Sequence, residues 1–572
     1  MALTLSATAQ KRKKQSGEPT ASGMKLREAE FYFTEGEKYF ILEDYAKALL
    51  YYQRTIEINP ENPTVHYKIA EVLARSNKQE DLLKASISID QALRLDKTNK
   101  YFYILAASIY SSMARFDRAA EAYETMIKEI PGTEEYLYEL AAIYQYGNKQ
   151  EEAIRVYTKA ESVFGVNDVS STQKIRLYLE AGKQKEAIAE GEKLMNAFPE
   201  EERYVMAFAQ VLSQKNLNAV AIQYLEKYTK QTLDAGNAKM LLAGLYRDTN
   251  QESKARPILL ELFDDPSVEY GSKIIVLGAY SAELSQGKTR NAVDDDKENF
   301  ALQLFEKLRK NYPQEASAHI VGGDLLLIGG KDREAQKEYI QAVESGEVNF
   351  EVWENLLYLD VKMEQFDQAL KHSEEALETY PNQAMIHYFN GFANLRKRHF
   401  PEAIAAFEQC RKLAGTNQAL TGDVYAMLGD AYNANKEFEK SDKAYDDALA
   451  INPNNNSVLN NYSYYLSIRK VNLEKAERMS SLLVKNNPDN PSYLDTHAWV
   501  LYMREKYREA KRVIERAIST GKASAVHFEH YGDILYKLGD VDAAVQQWER
   551  ARGLNANSET LNKKIANRKI YE

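Results

Sequence analysis

Residues 425–453 read YAMLGDAYNANKEFEKSDKAYDDALAINP. Tyr425, Leu428, Gly429 and Tyr432 share one face of a helix, because residues three and four apart lie on the same side. A polar break follows, and Ser441, Tyr445 and Ala448 then mark a second helix that Pro453 stops, since proline cannot continue the backbone ladder. Working outward, the small residue at Ser441 has counterparts at Ala48, Ala85, Ala119, Ala153, Ala187, Ala221 and Ala255. They continue at Ala301, Ala335, Ala369 and Ala403 and finally at Ala476, Ala510 and Ala544, mostly in steps of 34 residues. Other positions keep the same phase: Tyr32, Gly36, Tyr39, Tyr52 and Pro60 in the first repeat, and Trp353, Leu356 and Pro381 in the tenth.

A period of this length means that each repeat is one helix–turn–helix that cannot bury its apolar face alone and stacks on its neighbours. The pattern resembles the tetratricopeptide repeat family, over about fifteen repeats between roughly residues 25 and 557. The resemblance implies an all-α fold, a right-handed superhelical solenoid with a concave inner surface. Close packing accounts for the residue types: a small residue at Gly36 or Gly429 lets the second helix approach the first, and Ala48 or Ala544 lets the next repeat lie against the pair. Most of the 39 tyrosines are therefore architectural, filling spaces between helices.

Departures from the period predict insertions. The step from Ala48 to Ala85 is three residues longer than 34, which predicts a longer turn in RSNKQEDLLKAS. Ala255 to Ala301 is twelve longer, and the polar stretch SQGKTRNAVDDDKEN (285–299) is read as a mobile loop, or a contact site, in the eighth repeat. Weaker matching near DDPSVEYG predicts a boundary near residue 267, giving arrays at 24–267 and 268–557, with residues 558–572 as a polar capping helix.

At the start, Leu3, Leu5 and Ala7-Thr8-Ala9 resemble the end of a secretory signal peptide whose front half is missing, and KRKKQSGEPTASG (11–23) reads as a disordered basic tail. The expected location is periplasmic, with a cytoplasmic tail as the alternative. A net charge of −10, from 74 Lys and Arg against 84 Asp and Glu, offers no global field for nucleic acid. Cys410 stands alone, which excludes an internal disulfide and a multi-thiolate zinc site. No run approaches the roughly 18 apolar residues of a membrane span.

The repeat accounts for the residues that resemble catalytic groups. Asp495, Thr496 and His497 are neighbours in one helix and point about 100° apart, so they do not converge on one atom. His527 and His530 share a helical face without a further metal ligand. GGDLLLIGG (322–330) lacks the Lys-Ser/Thr ending of a phosphate loop, and Cys410 stands at a small core position. No enzyme and no cofactor are expected.

The family resemblance implies that the second, fifth, ninth and twelfth positions of each first helix face the concave surface. Transferred to this chain, that phase gives Tyr388, Phe392 and Leu395 in repeat eleven, Asp430 and Asn433 in twelve, and Asn460 and Tyr464 in thirteen. It gives Asp495, Trp499 and Tyr502 in repeat fourteen and Glu529, Asp533 and Tyr536 in fifteen. Such an aromatic and acidic surface suits an extended peptide or protein partner, although rings at these positions also pack between helices. A clamp for a carboxylate tail is not supported, because Phe33, Glu37, Tyr67, Glu71 and Tyr101 stand where Lys, Arg and Asn would be needed.

NNYSYYLS (460–467), YLDTHAWVLYMREKYREA (493–510) and HFEHYGDILYKLGDVDAAVQQWERA (527–551) are similar to C-terminal repeats of bacterial cell-envelope tetratricopeptide proteins, among them adaptors for carboxyl-terminal processing proteases. Those adaptors are commonly lipoproteins, and no lipobox cysteine stands in this sequence. The resemblance implies a non-enzymatic scaffold in the envelope, or alternatively a substrate-delivering adaptor; the oligomeric state is left open.

Overall fold

The structure, a computed structural model, describes residues 21–76, 78–289, 295–554 and 558–571. Among these residues lie 31 α-helices, a single 3-10 turn at Glu134–Tyr136 and no strand. Thirty helices pair into fifteen hairpins, and the last, Glu559–Asn567, packs on the second helix of repeat fifteen, Val541–Gly553. The fold is the all-α array of helical hairpins that the period implies. The chain forms two compact bodies, one running to Val268 with seven repeats and one from Glu269 with eight.

Local chemistry sets the helix ends. Where the chain enters a first helix, Asn62, Asn99, Asn349, Asn417, Asn455 and Asn490 accept hydrogen bonds from first-turn amides that have no helical partner. Between the two helices of most repeats the backbone turns through one left-handed residue, and repeat thirteen uses two, Lys470 and Asn472. Gly330 and Gly539 take this conformation without strain, while Glu364 (φ 58°) and Arg398 (φ 65°) adopt it against the usual preference of side-chain-bearing residues.

Inside five of the hairpins a glycine faces a large ring sixteen positions later. A Cβ added at Gly36 would stand 2.6 Å from the ring of Tyr52, one at Gly323 2.7 Å from Tyr339, and one at Gly391 2.8 Å from Phe407. Gly429 against Tyr445 and Gly532 against Trp548 are tighter still. The ring lies against the glycine, so the helices come closer than two side chains would permit. In repeat ten the sizes are exchanged, with Leu357 and Ser373 both fully buried at the same two positions.

The N-terminal body also holds a charged core that the repeat pattern did not announce. Lys174 is 1% exposed, and its Nζ lies 2.6 Å from Glu161 and 2.8 Å from Glu190. Ser171 donates to both carboxylates, at 3.2 and 3.0 Å, and Lys193 reaches Glu161 at 2.5 Å. Every charge is matched, which is the condition for burying them.

Both insertions differ from expectation. In the second repeat the extra residues lengthen the second helix, Gln79–Leu95, at its N-terminal end, because a helical turn satisfies backbone groups that a loop would leave to water. In the eighth, residues 285–289 end the first helix, Tyr270–Thr289, and residues 295–299 begin the second, Asp295–Asn311; residues 290–294 lie outside the described ones. The expected loop is therefore helical on both flanks. At the N-terminus the first helix starts at Ala21, so residues 21–23 of the expected tail are helical, while residues 1–20 lie outside the described residues.

Gly429→Ala should lower stability by about 1–3 kcal/mol through overpacking, because the new methyl enters the Tyr445 ring. Combining it with Tyr445→Leu should recover part of the loss. Chemical denaturation of the two variants checks this, and an unchanged midpoint for Gly429→Ala would contradict the packing.

Candidate functional site

In the C-terminal body, first helices of successive repeats approach each other more closely than second helices do. The first-helix face is therefore the inward-curving one. In repeat ten, Tyr358 is 47% exposed on this face. Tyr388 and Phe392 are half-buried in repeat eleven, Tyr388 edge-on to Phe407 at 6.0 Å and Phe392 tilted on Phe366 at 6.4 Å. Asn433, Asn460 and Tyr464 are likewise half-buried, with Asn460 donating to Asn461 at 3.2 Å and Tyr464 beside Tyr465. Trp499 stacks on Tyr502 at 4.8 Å and on the His530 ring at 4.1 Å. Tyr536 tilts against Trp548.

The acidic positions behave differently from the rings. Asp430 accepts from the Tyr445 hydroxyl at 2.6 Å and from Asn461 at 3.0 Å, and burial pushes its carboxyl above the usual range. Asp533, expected on the open face, is 4% exposed and accepts from Trp548 Nε1 at 2.9 Å and Lys564 at 2.8 Å. Lys564, from the capping helix, also meets Glu529 at 2.9 Å. Tyr502, also expected on that face, is 6% exposed, enclosed between Trp499 and Tyr507. Tyr502 and Asp533 are thus interior residues, because covering the ring and pairing the charge both favour burial.

One rule explains the acids that sequence reading put on the wrong side. The residue after the packing glycine accepts the polar handle of the ring: Tyr52 donates to Glu37 at 2.6 Å, Tyr339 to Asp324 at 2.6 Å, Tyr445 to Asp430 and Trp548 to Asp533. Where the ring is Phe407, which has no such handle, the residue after Gly391 is Phe392. A Gly-acid pair followed fifteen residues later by Tyr or Trp was the signal available in the sequence.

Asp495, Thr496 and His497 each meet different surroundings. Asp495 holds His530 Nδ1 at 2.9 Å, Thr496 is buried, and His497 Nδ1 lies 2.8 Å from Ser480 Oγ, where burial lowers its proton affinity. His527 caps its own helix, accepting from the Ser524 amide at 3.1 Å, so it does not share a ligand site with His530. Among the described residues no three His, Cys, Asp or Glu side chains are grouped to hold a metal ion. Burial pushes the Cys410 thiol up to about 11, away from thiolate chemistry. No helix among these residues is long and apolar enough to cross a membrane.

Family models described as tetratricopeptide repeats match residues 36–77, 355–415, 422–455 and 496–558. The chain carries tetratricopeptide repeats. Over 308 residues it is 25% identical to a TPR repeat-containing protein of Methanocaldococcus jannaschii, an alignment covering 45% of this chain and 53% of that one. The chain thus spans about half the length of that curated relative. A solved tetratricopeptide repeat protein from Parabacteroides merdae is similar at 15% identity and TM-score 0.37, covering 45% of this chain and 99% of that one. The Naa15/Naa10 complex bound to HypK-THB is similar at 14% identity and TM-score 0.37, covering 94% and 86%. A tetratricopeptide fold suggests an interaction scaffold for proteins or peptides.

His530 gives this face a pH dependence. Burial by itself would lower its proton affinity, but the charge and hydrogen bond of Asp495, with Asp533 and Glu529 beyond, hold it above the usual histidine value. Trp499 covers the ring, and Lys564 is the nearby cation that opposes the acids. Because the folded affinity is raised, the stabilisation is complete below the unfolded value near pH 6.5 and is lost as pH rises through the folded one. The melting temperature of the C-terminal repeats should therefore fall across that interval, and His530→Gln should flatten the fall. Calorimetry over the range tests it; an identical pH profile in the variant would contradict the assignment.

Proposed function

We propose that this protein is a non-enzymatic scaffold that holds protein or extended-peptide partners along its first-helix face, in the periplasm. The observation that carries the reading is the set of partly exposed rings Tyr358, Tyr388, Phe392, Tyr464, Trp499 and Tyr536 on first helices of repeats ten, eleven, thirteen, fourteen and fifteen. At the packing position of the second helices, by contrast, Tyr339 and Tyr445 are buried. Rings supply contact area at small entropic cost, and a row of them suits a chain lying across the helices. The binding-mode positions are Tyr388, Phe392, Asn433, Asn460, Tyr464, Trp499 and Tyr536; Asp430, Asp495, Tyr502, Glu529 and Asp533 support them from beneath. The interior pairing of the histidines and acids favours a structural over a catalytic use of those groups. The negative charge favours protein over nucleic-acid partners.

Export is supported by the Leu3, Leu5 and Ala7-Thr8-Ala9 pattern, whose residues lie outside the described ones. The likeness of residues 460–551 to envelope proteins supports the second reading, a substrate-delivering adaptor for a carboxyl-terminal processing protease. Cross-linked capture of the tagged protein from its native cells, with mass spectrometry, separates them. A fixed set of envelope components marks a scaffold, a protease with several unrelated envelope proteins marks an adaptor, and only cytosolic partners would overturn the location. Tyr464→Ala with Trp499→Ala should reduce capture by about tenfold while leaving the protein folded; capture unchanged in the folded variant would contradict the proposed face.

A further inference from the structure

The first helices of repeats nine to thirteen are Ala316–Ile328, Phe350–Lys362, Ala384–Arg396, Gln418–Ala434 and Asn456–Arg469. They carry six acids, Asp324, Glu351, Glu354, Asp360, Asp423 and Asp430, against three basic residues, Lys362, Arg396 and Arg469. Each base ends its helix and is already bound: Lys362 to Asp332 at 2.7 Å, Arg396 to Glu364 at 3.5 Å and Arg469 to Asp442. Three acids are used internally. Asp324 and Asp430 take the tyrosine hydroxyls described above, and buried Asp360 holds His372 at 2.7 Å and Gln336 at 2.5 Å.

Among the described residues Glu351, Glu354 and Asp423 have no ion-pair or hydrogen-bond partner, and in the phase of the repeat all three stand at the second or fifth position of a first helix. Glu351 and Asp423 are exposed and Glu354 is half-buried. Burial, with the charge of Glu351 added, pushes the Glu354 carboxyl up, and burial does the same to Asp423. Asp423 in turn bears on Tyr388, whose hydroxyl is raised by burial first and by that charge second. Repeats fourteen and fifteen are built the opposite way, with His530 and Lys564 set against Asp495, Glu529 and Asp533. Unpaired acids beside partly exposed rings lower the stability of the free protein and match a cation that comes from outside, which carboxylates attract by charge and ring faces by their quadrupole.

We propose that the first-helix face of repeats ten to twelve docks an extended basic segment of a partner protein, with one cationic side chain beside Glu351 and Glu354 and a second beside Asp423 over Tyr388. This rests on the partner-holding reading above and names the chemistry of the partner. The first helices of repeats ten, eleven and twelve pack in succession. At about 8–10 Å per step the two acidic positions lie about 16–20 Å apart, or about five to six residues of extended chain. The segment therefore carries Lys or Arg at two positions so spaced, with apolar or aromatic residues between them for Phe392.

The test selects a random dodecapeptide phage library on the full-length protein, then measures a fluorescent synthetic copy of the selected peptide by anisotropy. Enriched peptides should carry two basic residues about five to six apart. Glu351→Gln/Glu354→Gln/Asp423→Asn should weaken binding by about tenfold or more without lowering the melting temperature, because it removes repulsion and no partner. Selected peptides that lack basic residues would overturn the proposal. So would binding that survives the triple variant yet is lost in Tyr464→Ala/Trp499→Ala, an outcome that leaves the broader reading standing. Failure to enrich any peptide would overturn both.

Discussion

The approach of an aromatic ring to a glycine backbone sixteen residues earlier fixes the distance between the two helices of a repeat. At Gly36, Gly323, Gly391, Gly429 and Gly532 there is no room for a methyl group. With that distance set, the alanine of the second helix can be fully buried, as Ala48, Ala335 and Ala544 are, and the next hairpin can lie on it. Stacking is then a nearest-neighbour problem repeated along each body, and stability accumulates repeat by repeat. The exchange of sizes between Leu357 and Ser373 shows that the requirement is a summed volume and not a particular residue.

The same wedge distributes charge. A buried tyrosine or tryptophan needs an acceptor for its polar handle, and the residue beside the glycine is placed to provide it, so Glu37, Asp324, Asp430 and Asp533 belong to the packing. Elsewhere the protein matches buried charges one against another, at Lys174 with Glu161 and Glu190 and at Lys564 with Glu529 and Asp533. Against that background, Glu351, Glu354 and Asp423 stand without such a partner on the first-helix face of repeats ten and twelve. Acids that are chemically alike at the level of sequence thus divide into those that close the interior and those left unpaired on the first-helix face.

Packing leaves over only part of each first helix, and the proposed partner face is built from that part. The capping helix secures the last repeat through Lys564, and His530 joins repeats fourteen and fifteen by a proton-dependent contact. These contacts tie the last repeats together, while Glu351, Tyr358 and Asp423 stay exposed on the first helices of repeats ten and twelve. A rigid frame with a pre-formed face reduces the entropy lost when a partner is held.

The repeat period, the hairpin, the small positions and the proline stops were legible in the sequence because they are local: residues three, four and sixteen apart in one chain segment decide them. The role of Cys410 followed for the same reason. Only the tertiary structure decided that Tyr502 and Asp533 turn inward, that Asp495 holds His530 thirty-five residues away, and that Lys174 is buried among carboxylates. It also decided that both insertions lengthen helices. Those outcomes depend on rotamers and on how one hairpin sits on the next, which a periodic pattern does not encode, since a polar residue at a given phase pairs inward or faces water according to what its neighbour presents.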